Sequence, residues 1–262
     1  MKIRIMTSNI WGDYFGNEVT VREDKLFGIY KKYSPDVLGL QEFTPGWQRG
    51  SIIKNLENAG YTLLDDAPSG VHNFTPLFIK RDKFAILESG YEKLPHTDDR
   101  TKSIEWAVLR LRESDVKITV CNTHFEWRKG SYYVESRDFD AEQLAWRMNF
   151  LKDKNGCCAA FGFGDMNTFA STTPFQIYEK RGITLLSRLA PDEPKVSSNR
   201  EDPVRDENGI FRGKPADKPF TFSIDHIVGT KDGYKVNAYQ VITDQDALDA
   251  SDHSPVFADI EM

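Results

Sequence analysis

Side chains that handle protons, phosphate and hard cations recur in this chain at one kind of place, the end of a short apolar run. The densest case is Phe161-Gly162-Phe163-Gly164-Asp165-Met166-Asn167. The run 156–163 is apolar, rich in small residues and reads as a buried strand; Gly164 ends it, and Asp165 and Asn167 follow at its tip. Extended side chains two positions apart project to the same side, so a carboxylate and an amide reach into one space. Asn9, Glu42, His124, Asp225, and Asp252 with His253 close other apolar runs in the same way. Singly, each is an ordinary turn or capping residue. Their recurrence implies one site assembled at a single rim of stacked sheets.

Such a set suits phosphoryl chemistry. Hard divalent cations such as Mg²⁺ take carboxylate and amide oxygens, with water completing the shell, and Asn9, Glu42, Asp165 and Asp252 offer them. A phosphate ester repels a nucleophile until its charge is neutralised, which a bound cation does while polarising the phosphoryl oxygen. A histidine held by a carboxylate takes a proton from water near neutral pH. His253 with Asp225 is the pair this sequence favours, leaving His124 to polarise or protonate phosphate oxygens from another direction.

Positioning these groups requires strands in more than one place. Strand patterns cover residues 2–8, 37–40, 61–64, 222–228, 234–242 and 256–260, and helical spacing covers 21–33, 47–59 and 134–152. Residues 74–80 and 84–88 read as a hairpin around Arg81-Asp82, and 104–112 with 116–123 as a long hairpin. Thr173-Pro174 reads as an N-cap and first-turn proline of a further helix. Residues 191–219 are rich in Pro, Gly and charge and show no period, which marks a surface excursion near the cleft. The order strands-helix-strands occurs twice, so residues 1–262 read as one domain with two packed sheets and helices outside.

The bulk numbers narrow the class. A net charge of -6 disfavours a strong non-specific nucleic-acid binder, which normally presents a basic face. Cys121, Cys157 and Cys158 lie in apolar runs, read as buried reduced thiols, and form no zinc cluster. The first residues read as a strand rather than a targeting segment, and no run is long enough for a membrane span, so a cytoplasmic, monomeric enzyme is the expectation.

Asn9, Leu40-Gln41-Glu42, Asn122-Thr123-His124, Gly164-Asp165-Met166-Asn167, Ile224-Asp225-His226 and Ser251-Asp252-His253 stand together as a family pattern. On these motifs, from about residue 3 to residue 256, the chain resembles the endonuclease/exonuclease/phosphatase superfamily of deoxyribonuclease I-like fold, and within it the small bacterial members. The resemblance implies an α/β (α+β) chain folded as a four-layer α/β/β/α sandwich, two packed mixed β-sheets flanked by helices. It implies Mg²⁺- or Mn²⁺-dependent hydrolysis of a phosphate ester. It makes Glu42 the main metal ligand with Asn9 and Asp252 nearby, gives Asp165 and Asn167 the positioning of water and phosphate, and makes His253, oriented by Asp225, and His124 the catalytic histidines. Where deoxyribonuclease-like members pair a glutamate with the histidine equivalent to His124, this chain carries Asn73, which can hydrogen-bond His124 but cannot stabilise it as a cation. Met166 replaces the usual phenylalanine, and the DNA-gripping insertions of the abasic-site repair members are not evident.

Arg100 and Arg137 are candidates for a second phosphate or substrate group, and Trp127, just after the histidine motif, for stacking on a base or sugar. With Asn73, Arg100 and Trp127 form the substrate-binding expectation. The acidic chain and the missing grip elements favour a phosphodiesterase or phosphatase of a small ester, with a DNA or RNA nuclease as the alternative. A catalytically inactive binding module on the same fold is the third reading.

Overall fold

The computed structural model describes residues 1–262, apart from the side chain of Phe15. Its first half runs through β1 (Lys2–Asn9), α1 (Glu23–Tyr33), β2 (Val37–Gln41), α2 (Pro45–Arg49), α3 (Ile52–Asn58), β3 (Tyr61–Leu64), β4 (Leu77–Lys80), β5 (Phe84–Lys93), β6 (Ser103–Leu111) and β7 (Lys117–His124). The second half continues with α4 (Ser131–Asn155), β8 (Ala159–Asp165), α5 (Thr173–Lys180), β9 (Ile183–Leu185), β10 (Val204–Arg205), β11 (Phe211–Arg212), β12 (Asp225–Thr230), β13 (Lys235–Val241), α6 (Gln245–Ala250) and β14 (Val256–Glu261). Two six-stranded sheets result, in the orders β13-β14-β1-β2-β4-β3 and β5-β6-β7-β8-β12-β9, with β10-β11 as a separate ribbon. Both sheets are mixed, because β1 pairs with β2, and β7 with β8, in parallel.

Three apolar clusters account for the layering. Ile5, Val37, Leu109, Val120, Phe161 and Phe163 pack between the sheets. Leu144, Met148 and Leu151 of α4 and Phe175 of α5 cover the outer face of the second sheet. Leu26 and Tyr30 of α1, with Trp47 and Leu56, cover the outer face of the first. A strand covered on both faces needs no polar alternation, which is why Val37–Gln41 is buried throughout. The layers are therefore helix, sheet, sheet, helix, as the resemblance implies. Among the described residues no helix is long and apolar enough to cross a membrane.

Asn122 joins the sheets. Its Nδ2 donates to the carbonyls of Leu40 (2.8 Å), Thr75 (2.9 Å) and Pro76 (3.0 Å), and its Oδ1 accepts from Gln41 Nε2 (2.6 Å). Gly39 makes room for this link, since a Cβ there would lie 2.5 Å from Asn122 Oδ1. Asn122, though part of the histidine motif, is thus a tie between layers.

Several expectations are corrected. The hairpin 74–80/84–88 does not form: β4 is hydrogen-bonded to β2 on one edge and β3 on the other, so the chain must cross to the second sheet before β5 begins. The helix 47–59 is two helices, parted at Gly50-Ser51, where the Glu23 carboxylate accepts from Ser51 N and Oγ, both at 2.9 Å. Thr172, not Thr173, precedes the first turn of α5. Cys121 and Cys157 are buried, but Cys158 is exposed. The short β9 and α6 carry no pattern that the sequence reading recognised.

Candidate active site

Strand register places three candidate residues in one row. His124 lies opposite Asp165 in the parallel β7–β8 pair, and Asp165 lies opposite Asp225 in the antiparallel β8–β12 pair. Gly164 does not end β8. It carries the strand through to Asp165, at φ +149°, where a Cβ would lie 1.9 Å from the Thr123 carbonyl oxygen. Asn167 then reaches the same space by a tight turn rather than by strand alternation. Its φ is 47°, its N–H donates to Asp165 Oδ1 at 2.9 Å, and its Nδ2 donates to the Phe125 carbonyl at 3.1 Å.

The first sheet supplies the opposite side. Asn9 ends β1 and Glu42 follows β2 in the left-handed region, with φ 58°. Backbone held there by a non-glycine residue costs energy and recurs at functional sites. Asn9 Nδ2 bridges Glu42 Oε1 (3.1 Å) and Asp165 Oδ2 (3.0 Å), so one amide connects the two sheets at their rim. Glu42 Oε2 accepts from Gly12 N at 2.8 Å. Ser251 Oγ donates to the Asn9 carbonyl (2.8 Å) and accepts from His253 N (3.1 Å), which brings the segment after α6 to the same rim. There His253 Nδ1 meets Asp225 Oδ2 at 2.8 Å, while Nε2 lies 3.9 Å from both Asp165 Oδ2 and Asp252 Oδ2.

Glu42, His124, Asp165, Asn167, Asp252 and His253 line one cleft of about 740 Å³, with Trp127 at its mouth, 61% exposed. Asn9 and Asp225 stand buried directly behind them. Three candidates, Asn73, Arg100 and Arg137, do not join. Asn73 is 2% exposed and points elsewhere: its Nδ2 donates to Glu105 Oε2 (3.0 Å) and its Oδ1 accepts from Thr75 N (2.9 Å), so the expected bond to His124 is not made. Arg100 is exposed beside Asp99 and Thr101, which line the cleft while it does not. Arg137 donates to the carbonyls of Glu126 (3.0 Å) and Arg128 (2.9 Å), shaping the loop that carries Trp127.

Other residues of the site escaped the sequence reading. Lys102 lines the cleft, with Nζ 2.7 Å from His124 Nε2. Arg22, fully buried, donates to five carbonyls, among them Ile10 (2.8 Å), Trp11 (2.7 Å) and Ala250 (2.7 Å), and so fixes the loop after β1. The 191–219 segment lies against the site: Ser198 Oγ donates to Asp225 Oδ2 (2.8 Å), Asp202 lines the cleft, and Arg200 donates to the carbonyls of Leu248 (2.9 Å) and His253 (3.1 Å). A basic residue four or more positions from any motif leaves no signal in sequence when its partners are backbone oxygens.

Burial pushes Asp165 up to about 7 and Asp252 up to about 6. Burial works against a charged His253, but Asp225, Asp252 and Asp165 outweigh it and hold the imidazole well above its ordinary value. His124 moves well below, through burial, Lys102 and His253. A carboxyl raised by folding contributes stability that is complete below about pH 4 and is lost as pH climbs through its folded value, here about 7 for Asp165. Asp165→Asn, with metal removed, should therefore gain on wild type by about 1–3 kcal/mol between pH 5 and pH 8. Parallel thermal melts at the two pH values read this, and a constant difference would contradict it.

The donor set fits a hard divalent cation. Three carboxylates, Glu42, Asp165 and Asp252, face one cleft in which Lys102 is the single lining Lys or Arg among the described residues, and Asp225 Oδ1 is buried without a partner. Asp165, Asp225 and His253 also place ligand atoms within 4.8 Å of one another, but His253 Nδ1 is already spent on Asp225. That leaves Glu42 and Asp252 as the carboxylates that could hold an ion. Asn9 fits less well: the Trp11 N–H bonds its Oδ1 at 3.0 Å, which fixes the amide with Nδ2 towards the carboxylates. It braces Glu42 and Asp165 instead of presenting oxygen.

The sequence matches the model of the endonuclease/exonuclease/phosphatase family over residues 6–253. No curated protein matches it. Among solved structures, an endonuclease/exonuclease/phosphatase from Bacteroides vulgatus is similar with a TM-score of 0.79 at 20% identity, covering 100% of this chain and 99% of that one. The mannosyl-6-phosphatase of Bacteroides thetaiotaomicron gives 0.72 at 18%, covering 99% and 100%. The human Nocturnin catalytic domain gives 0.72 at 18%, covering 99% and 94%. At these identities the structures show a shared fold, while the family match runs from β1 to His253 itself, through every strand end that feeds the cleft; the chain belongs to the endonuclease/exonuclease/phosphatase family.

Proposed function

We propose that the protein is a Mg²⁺- or Mn²⁺-dependent phosphoester hydrolase that directs water onto the phosphorus of an ester of modest size. The observation that carries this reading is the buried Asp225–His253 pair, 2.8 Å apart, whose free Nε2 faces Asp165 and Asp252 in the same cleft as Glu42. Asp225 accepts from Nδ1, so Nε2 is the nitrogen that takes a proton from the attacking water. Asp165 and Asn167 orient that water and a phosphoryl oxygen. Glu42 and Asp252 would hold the cation, with Glu42 braced by Asn9. When bound, the cation neutralises phosphoryl charge and offsets the carboxylates that keep His253 charged, leaving the imidazole able to act as a base.

The mouth favours a small ester over a polyanion. Asp99 and Asp202 stand there with Tyr14 and Trp127, and among the described residues no Lys or Arg lines it outside Lys102. A nuclease needs a basic track along the strand it grips. The Bacteroides thetaiotaomicron neighbour, a phosphatase by its name, supports the same preference. A panel of phosphomonoesters, phosphodiesters, inositol phosphates and oligonucleotides, each with Mg²⁺ and Mn²⁺, tests it. Turnover should appear on small esters and show little salt dependence. Cleavage confined to oligonucleotides, with a steep salt slope, would replace this reading with the nuclease one, and no turnover with either ion would leave the binding-module reading.

A further inference from the structure

We propose that Lys102 is the residue that grips the phosphoryl group and that His124 acts as its brace; this rests on the hydrolase reading above. Lys102 is 2% exposed, lines the cleft, and makes one side-chain hydrogen bond among the described residues, Nζ to His124 Nε2 at 2.7 Å. An ammonium carries three donors and no acceptor. With Lys102 charged, which burial opposes but Asp99, Asp165 and Glu42 favour, His124 accepts at Nε2 and carries its own proton on Nδ1, which is buried without a partner. The nitrogen of His124 that faces Lys102 then has no proton to give a phosphate oxygen. Lys102, 2% exposed, keeps two donors with no protein acceptor among the described residues, an arrangement that costs energy unless water or an anion completes it.

The charge pattern agrees. Asp99 and Asp165 are the carboxylates that act most strongly on Lys102, His124 Nε2 lies 3.5 Å from Asp165 Oδ2, and Asp202 also lines the cleft. A terminal phosphoryl group entering the cleft meets this ammonium and the cation site together, and charge-assisted N–H···O bonds are the strong ones. Asn73 is drawn to Glu105 and leaves His124 Nδ1 without a partner, so Lys102 at Nε2 is the closest side-chain contact that the imidazole makes. His124 is thus a positioning residue here and Lys102 a catalytic one. A monoester dianion carries one more negative charge than a diester monoanion, so it depends more on the ammonium.

The test compares wild type, Lys102→Met and His124→Gln on p-nitrophenyl phosphate and bis(p-nitrophenyl) phosphate, with inorganic phosphate as the inhibitor. Lys102→Met should lose about 10²–10³-fold in kcat/KM on the monoester, lose clearly less on the diester, and bind phosphate about tenfold or more weakly. His124→Gln, whose Oε1 still accepts from Nζ, should stay within about tenfold of wild type. An unchanged phosphate inhibition constant in Lys102→Met, or a loss in His124→Gln as large as that in Lys102→Met, overturns the assignment. Should Lys102→Met not fold, ¹⁵N-lysine spectra of the wild-type protein decide: one ammonium signal must move as phosphate is added, and none moving refutes the proposal. Phosphate titration needs no turnover, so it separates failure of this assignment from failure of the hydrolase reading.

Discussion

His253→Ala should lower kcat/KM on the best small ester by about 10³–10⁴-fold, the upper part of the range for a positioned general base. The expectation follows from placement. His253 is held on three sides: its N–H by Ser251 Oγ (3.1 Å), its Nδ1 by Asp225 (2.8 Å), and its carbonyl by Arg200 (3.1 Å). No other imidazole in the cleft substitutes, because His124 Nε2 is committed to Lys102. Asp225→Asn should keep the fold and lose less, about 10²–10³-fold, since an amide can present N–H where the ring needs an acceptor. Initial rates with saturating Mg²⁺ measure both. A His253→Ala enzyme within tenfold of wild type would remove the imidazole from the proton path and shift that role to Asp165.

Removal of divalent ions should abolish turnover, by about 10³-fold or more, with recovery on adding Mg²⁺ or Mn²⁺. The same addition should stabilise the protein. A ligand that binds only the folded state contributes about 2.7 kcal/mol at a hundred times its dissociation constant, and here it would also relieve the burial that raises Asp165 and Asp252. Glu42→Gln should lose most of both effects because it removes the carboxylate charge, and its one amide oxygen can keep either the Gly12 N–H or the Asn9 amide but not both. Thermal melts and rates across a metal titration read the two together. Activity that survives exhaustive chelation would set the Glu42 and Asp252 assignment aside.

The corrections share one cause. Period and turn chemistry locate strands, but not the sheet that each joins: residues 74–80 and 84–88 look like a hairpin until β2 and β3 take both edges of β4. Asn73 looked like a partner for His124 from its place in the motif order, yet its amide is drawn to Glu105 across the interior. Lys102 sits in a polar stretch with no periodicity, and becomes notable only when Nζ is seen beside an imidazole in the cleft.

By itself the sequence determined the two-sheet layering and singled out Glu42, His124, Asp165, Asn167, Asp252 and His253 of the cleft, while Asn17, Asp99 and Asp202 carried no such mark. Apolar runs long enough for one strand, closed by a polar residue, leave Asn9, Glu42, His124 and Asp165 at or just past strand ends. The tertiary structure decided which end meets which. Register alone aligns His124, Asp165 and Asp225, and only the packing of one sheet on the other lets the Asn9 amide reach Glu42 and Asp165 together. It also decided that Lys102 meets His124 in the cleft, because contacts between residues distant along the chain depend on burial and geometry that no local pattern encodes.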